Sequence, residues 1–439
     1  MLYKSKIEVL VICCFLLCFL SMGAYYFLNS VNLFFYDQYV ALEPLIEKKD
    51  FFTLFNYRQE LFRMGIGYVL WDTLNSIFGI DARIPGWISI SSLFFATAVA
   101  LLLLKKIFGR LSFFDIVVPL MFFSPKIYEE FFGGMYPPLG PFGLLLILSF
   151  IYIYLRENFK YRRILLLLFI FLITYSGYAF LFTVTVIVFF IFVLFSKLFL
   201  DRDSYMSKDI IVIFIGAVFS LLLFFRNYHF EPGVTCFKSI PESNFQILNY
   251  ASLVNSYYAG FFKVNAITLV VGYIGLFLKI VAIITAIFFK NKNSNYESKK
   301  FFESVILLSG FSILYVFAVS YGRYCLGDSS AFTSRYMAFL IPGFLSLFIL
   351  LRYLHMKFIK LKRLNLPSIF FILFVIFELN GYPFWFKEMN RLIKGKKAVY
   401  QCISGNFQKI PMCQEKNSFP INFDADFTQQ INIKIKSLQ

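Results

Sequence analysis

Long apolar runs separated by short polar patches set the pattern of this chain. The first run, Ile7 to about Leu28, is close to the ~20 residues a helix needs to cross a bilayer. It lacks a small-residue cleavage site, so it reads as a retained span, not a signal peptide. Further spans are predicted near 84–104, 111–123, 139–155, 164–176, 178–196, 210–225, 266–289, 302–319, 336–351 and 366–381, about eleven in all. The pair around Tyr175-Ser176-Gly177-Tyr178 also reads as one long or kinked helix, a choice that would flip everything downstream. Leu61 to Gly79 is only moderately apolar. Its Asp72 and Asn75 would be costly in lipid, which predicts an interfacial helix.

Composition agrees with the pattern. The 439 residues are 59% hydrophobic with a mean hydropathy of +0.72, which excludes a soluble domain. The net charge of +17 is informative through its placement. Counting spans from a cytoplasmic N-terminus puts Lys105-Lys106, Arg156 to Arg163, Lys197 to Lys208, Lys290 to Lys300 and Arg352 to Arg363 on the cytoplasmic side, as the positive-inside rule requires. The basic excess is thus a topology signal, and no nucleic acid is needed to explain it. The expected fold class is all-α, a polytopic membrane domain over 1–381 whose outer loop 29–85 carries the interfacial helix. A small extracytoplasmic tail over 382–439 follows. That tail is basic although the count places it outside, where the rule acts weakly. No direct or inverted repeat is visible.

Candidate chemistry collects in the outer loops. Asp37 follows the first span, and a carboxylate there can take a proton from a sugar hydroxyl or simply cap the next helix. Arg58-Gln59-Glu60 and Arg63 suit a phosphate headgroup, or are interfacial side chains reaching for water, as are Lys48-Lys49. Glu129 and Glu130 follow Ser124-Pro125-Lys126. Adjacent acids invite a metal, a shared proton, or surface ion pairs with Lys126; Glu129 is favoured for function. Arg323 and Arg335 close the two ends of one loop, and Arg335-Tyr336 stands at the mouth of a span where a charge needs a partner, a phosphate or Asp328. Cys13, Cys14 and Cys18 lie in the first span. Cys236, Cys325, Cys402 and Cys413 fall outside, where a 402–413 disulfide is the favoured pairing. With two His and no metal spacing, zinc is not expected. A divalent ion on Asp37, Glu129 and Glu130 is compatible with the residues but not claimed, and no cofactor is expected.

An Asp after span one, the acidic interfacial segment, the Ser-Pro-x-x-x-Glu break and the Gly-Arg…Ser-Arg-Tyr loop resemble the polytopic glycosyltransferases of the GT-C superfamily. Most similar are the serotype-converting O-antigen glucosyltransferases of bacteria. The resemblance implies a multi-pass inner-membrane enzyme with a cytoplasmic N-terminus and a periplasmic C-terminus. It implies an inverting transfer of a sugar, glucose by analogy, from a polyprenyl-phosphate donor to a lipid-linked glycan. Asp37 would be the general base with Glu129 as a second catalytic acid. Arg58, Arg63, Arg323 and Arg335 would meet the donor phosphate, supported by Glu60 and Tyr336. Membrane lipid, a flippase and a polyprenyl-phosphate sugar synthase are the implied partners. Two features depart from the family: one acid, not two, in Tyr36-Asp37-Gln38, and Glu60-Leu61-Phe62 where relatives often carry Glu-His-Arg. The alternatives are an O-antigen polymerase or ligase, using the loop Arg226 to Asn265, and a lipid-linked sugar flippase. Lys279, Asp115 and Glu378 read as near span ends, so the one-sided polar residues favour surface chemistry over passage.

Overall fold

The computed structural model describes all residues except 1, 35–37, 39–44, 46, 48, 60–61, 64, 134–139, 158, 201–207, 229–235, 237–240, 242, 293–295, 359–364 and 405–439. Its described part is all-α apart from one two-residue antiparallel ladder, β1 (Arg58–Gln59) on β2 (Phe62–Arg63). The helices in chain order are α1 (Leu2–Asn29), α2 (Phe51–Asn56), α3 (Gly65–Phe78), α4 (Ile84–Phe108), α5 (Val117–Phe122), α6 (Pro141–Tyr154) and α7 (Arg162–Thr174). They continue with α8 (Phe180–Leu200), α9 (Lys208–Phe225), α10 (Asn244–Tyr258), α11 (Ala266–Lys292), α12 (Tyr296–Arg323), α13 (Ile341–Lys357) and α14 (Leu366–Ser404).

Seven of these, α1, α4, α8, α11, α12, α13 and α14, lie in segments long and apolar enough to cross a membrane; α6 and α9 are apolar but shorter. In a bilayer each backbone N–H and C=O must be satisfied inside the protein, which is why apolar runs of this length fold as helices. The expected run at 111–123 differs from the rest. It forms a 3₁₀ turn at Phe113–Ile116 and then the six residues of α5, with Pro119 inside and Pro125 just beyond. Val117, Val118, Met121 and Phe122 are all fully buried, so this run is apolar because it is core. The α13 segment is likewise central, 78% buried in its most apolar stretch, whereas α14 is 17% buried there and peripheral. Ile267, Val270, Ile274 and Phe277 form the exposed stripe of α11 that lipid would cover.

The expected interfacial segment is helical as α3. Its buried positions Tyr68, Trp71 and Asn75 recur every three or four residues and turn one face inward. Gly65 starts it with φ +54, and a Cβ there would collide with the backbone carbonyl of Tyr175, so this approach requires glycine. The chain also stays helical through Tyr382 to Ser404. Lys279, read from the sequence as near a span end, instead lies midway along α11, buried and bonded through Nζ to Asn255 at 2.6 Å.

Two ends of the bundle are distinguished by their contacts. At one, the start of α1 meets the end of α4 through Glu8–Lys105, and the end of α13 meets the 3₁₀ turn before α5 through Arg352–Asp115. The turn between α11 and α12 closes there through Lys290–Glu303. These are the basic segments expected in the cytoplasm. At the other end, Tyr26 of α1 donates to the carbonyl of Arg83 before α4, and Lys397 of α14 reaches Asn29. A Cys236–Cys325 disulfide ties the segment before α10 to the end of α12. The expected 402–413 pairing lies outside the described residues.

Candidate functional site

The site is built on the segment after α5. Ser124 caps a 3₁₀ turn at Pro125–Ile127, and a π-turn follows at Glu129–Gly133. Ser124 Oγ donates to Glu378 Oε2 of α14 at 2.6 Å, and Lys126 Nζ pairs with Glu378 Oε1. Lys126 is therefore not the surface partner of Glu129 and Glu130 that the sequence suggests. It is fully buried, 3.6 Å from the centre of the Tyr258 ring, with Phe374 and Trp385 also close. Burial pulls its ammonium below the ordinary lysine value, and Glu378 opposes that.

This anchoring delivers Glu129 to Ser334-Arg335-Tyr336, a 3₁₀ turn ahead of α13. The Glu129 N–H donates to Ser334 Oγ at 3.1 Å, and the Arg335 N–H donates to Glu129 Oε2 at 3.1 Å. Two segments 206 residues apart are thereby stitched together. Burial raises the affinity of the Glu129 carboxyl for a proton, the Arg335 charge works against it, and Glu388 of α14 adds to it. Next to it, Glu130 is fully buried, and neither of its oxygens has a hydrogen-bond partner among the described residues. Burial first and the neighbouring Glu129 second push its carboxyl up to about 8, with Arg335 opposing. Gly140, which caps α6, makes room for it: a Cβ there would stand 2.6 Å from Glu130 Oε1.

Tyrosines surround this group. Tyr336 and Tyr315 are buried, and Tyr315 packs edge-on to Tyr178 at 5.5 Å. Tyr250 shares a hydrogen bond with Ser330 at 2.9 Å, and burial raises its hydroxyl against the pull of both Arg323 and Arg335. The disulfide holds this side, since Cys325 follows Arg323 by two residues. The structure thus gathers Glu129, Arg335 and Tyr336, with Arg323 acting on the same Tyr250. Asp37 and Glu60 lie outside the described residues.

Arg58 and Arg63 are engaged elsewhere. Arg63 is buried, and every nitrogen of its guanidinium donates: Nε to the Phe224 carbonyl at 2.8 Å, Nη1 to Asn56, and Nη2 to the Arg226 carbonyl at 2.7 Å. Arg58 donates to the Asn227 carbonyl and lies over the Tyr228 ring. Together they clasp the β-ladder onto the end of α9. Sequence reading names Glu130 beside Glu129 and places Glu378 near a span end, but it favours Glu129 for function and gives Gly140 no role. The adjacency of two acids was the visible signal, but it cannot say which of them is buried without a partner.

Beside the site lies an open-sided apolar cavity of about 760 Å³, lined by Leu70, Phe78, Trp87, Phe95 and Phe142, with Arg83 in its wall. Arg83 forms a forked ion pair with Asp81. Tyr26 packs on Trp87 and on Phe132, at 5.2 Å each, so the Glu129–Gly133 turn and the cavity share a wall. Among the described residues no three His, Cys, Asp or Glu side chains gather around a metal position.

No family model and no curated protein matches the chain. Among solved structures it is similar to ArnT from Cupriavidus metallidurans bound to undecaprenyl phosphate, at 12% identity over 96% of this chain and 84% of that one, with a TM-score of 0.48. That likeness assigns no residue here a role.

Proposed function

We propose that this chain is a membrane glycosyltransferase that moves a sugar from a polyprenyl-phosphate donor to a lipid-linked O-antigen or other surface glycan, with inversion, on the periplasmic face of a bacterial inner membrane. The observation that carries the reading is the Glu129–Arg335 contact with Glu130 beneath it, set against an apolar cavity of about 760 Å³. An arginine whose main chain is fixed by an acid is positioned to meet the phosphate of a lipid-linked donor, and an apolar cavity next door suits the lipid. The disulfide supports an oxidising surroundings for this end of the bundle.

In this reading the acceptor hydroxyl attacks the anomeric carbon and gives its proton to Asp37. The bond from that carbon to the phosphate oxygen breaks, and charge builds on the departing phosphate. Arg335 and Arg323 oppose that charge, in a site dry enough to make the opposition count. Glu129 fixes the backbone that carries Arg335, and Tyr336 and Tyr250 wall the group. The transmembrane part, 1–381, would do the chemistry and the tail from 382 would be accessory. A second reading, a lipid-linked sugar transporter, draws on Lys279, buried midway along α11.

Asp37→Asn is the test, in protein reconstituted with a radiolabelled polyprenyl-phosphate sugar and a lipid-linked glycan. Transfer should fall by about 10²–10⁴-fold while insertion and disulfide formation persist. Full transfer by the variant rejects Asp37 as base. Movement of the labelled lipid between leaflets without any new glycosidic bond supports the transporter.

A further inference from the structure

We propose that Glu130 serves the site as a neutral acid: its proton keeps Arg335 from being divided between two carboxylates, and losing it closes the site to a phosphate. The inference rests on the transferase reading for the identity of the anion and on the geometry of Glu130 for everything else.

The other buried carboxylates among the described residues are paired: Asp115 accepts from Arg352, and Glu303 accepts from Lys290 and the Tyr154 hydroxyl. Glu130 is as buried as Asp115 and accepts from nothing among the described residues. One of its oxygens, Oε1, lies against the open face of Gly140, where a Cβ would also meet the methyl group of Ala338, and neither side chain offers a donor. A carboxylate in such a place loses its hydration without compensation, whereas a protonated carboxyl loses much less. A side chain at 140 would press on the acid, so glycine there leaves Glu130 its space.

The charged and titratable groups that face Glu130 come from three directions. Glu129 is on its own turn, Arg335 is on the turn before α13, and Tyr315 of α12 faces it with Tyr178 and Tyr336 behind. Glu388 of α14 acts on Glu129 from the far side. Arg335 is the cation that acts on both acids. With Glu130 neutral, Glu129 and Arg335 balance one to one, and the arginine can share its charge with an incoming phosphate. With Glu130 ionised, two carboxylates face one arginine. The turn around Arg335 then carries more negative than positive charge, and less of the arginine's charge is left for the anion. A carboxyl pushed up to about 8 places the neutral state at neutral pH and the ionised one just above it.

The pH dependence of donor KM and kcat, measured separately in reconstituted protein, tests this. In wild type, donor KM should rise about tenfold per pH unit above about pH 8 while kcat changes little. Glu130→Gln keeps the shape and the neutrality of the acid. It should hold donor KM within about threefold of wild type at neutral pH and remove the alkaline rise. An unchanged alkaline rise in Glu130→Gln, or a folded variant without transfer at neutral pH, overturns the proposal. Infrared spectroscopy gives a readout that needs no activity. Wild type should show a protonated carboxyl band at neutral pH that disappears as pH rises and is missing from Glu130→Gln. Absence of that band in wild type overturns the proposal whatever the transfer assay says. A band that behaves as expected in a protein that transfers no sugar supports the protonated Glu130 and rejects the transferase reading instead.

Discussion

At the basic end of the bundle Asp115 is fully buried, and both its oxygens accept from Arg352, while the Ser112 N–H donates to Oδ2 at 2.6 Å. Arg352 also donates to the Arg110 carbonyl at 2.8 Å. Close by, Glu303 takes Lys290 at 2.8 Å and the Tyr154 hydroxyl at 2.5 Å. At the opposite end Glu130 is as buried as Asp115 and accepts no hydrogen bond among the described residues. Both acids sit in apolar surroundings, and the difference lies in what was supplied to them. Acids that hold helices together are given partners, because an unpaired buried charge costs far more than a pair returns. An acid left without one is a standing cost to the fold, and sites of chemistry are where such costs are retained.

The comparison is broken most forcefully at its paired side. Arg352→Met leaves Asp115 buried without its cation and should cost about 3–5 kcal/mol in thermal or denaturant unfolding of the detergent-solubilised protein. Adding Asp115→Leu removes the stranded charge and should recover most of that loss. A single variant as stable as wild type would show that Arg352–Asp115 holds nothing, and the contrast with Glu130 would lapse.

Particular residues show what could be read in advance. The apolar runs mark the helices because a bilayer leaves the backbone no alternative, and α1, α4, α11 and α12 fall where the runs place them. Hydropathy drops at Tyr382, which predicts a tail from there on. Trp385, Met389, Ile393 and Lys396 nevertheless continue a buried helical face at three- and four-residue spacing. Glu129 and Arg335 could each be placed on one face, but their contact joins segments 206 residues apart and has no local signature. Lys126 looked like a surface lysine next to two acids, yet its partner Glu378 is 252 residues away. The fold brings Cys236 and Cys325 together across 89 residues, a pairing that cysteine spacing alone does not single out.

The unpaired side gives a smaller effect with a definite sign. Glu130 has its folded-state value raised from 4.5 to about 8, so the folded protein holds this proton more tightly than the unfolded chain. Its contribution to stability is complete below the ordinary carboxylate value and is lost as pH rises through the folded one. Wild type should therefore weaken progressively between about pH 5 and about pH 8, by on the order of 2–4 kcal/mol, and Glu130→Gln should not. Parallel pH–stability curves for the two proteins would mean that Glu130 finds a partner in solution, as Asp115 does.

The smallest effect separates two arginines within the site end itself. Arg63 gives Nε, Nη1 and Nη2 to acceptors on α2 and α9, whereas Arg58 has the Asn227 carbonyl and the Tyr228 ring. One backbone acceptor and one ring at a half-exposed position are together worth about 1 kcal/mol or less, so Arg58→Gln should barely move the unfolding midpoint. If Arg335 and Arg323 meet the phosphate, the same variant should also keep transfer within about threefold, because removing a charge that touches no reacting group leaves transition-state binding unchanged. A loss of about a hundredfold in transfer with unchanged stability would put Arg58 on the donor phosphate after all. The clasp on α9 would then be a resting contact that substrate exchanges for its own, and the site would extend from the Glu129 turn to the β-ladder.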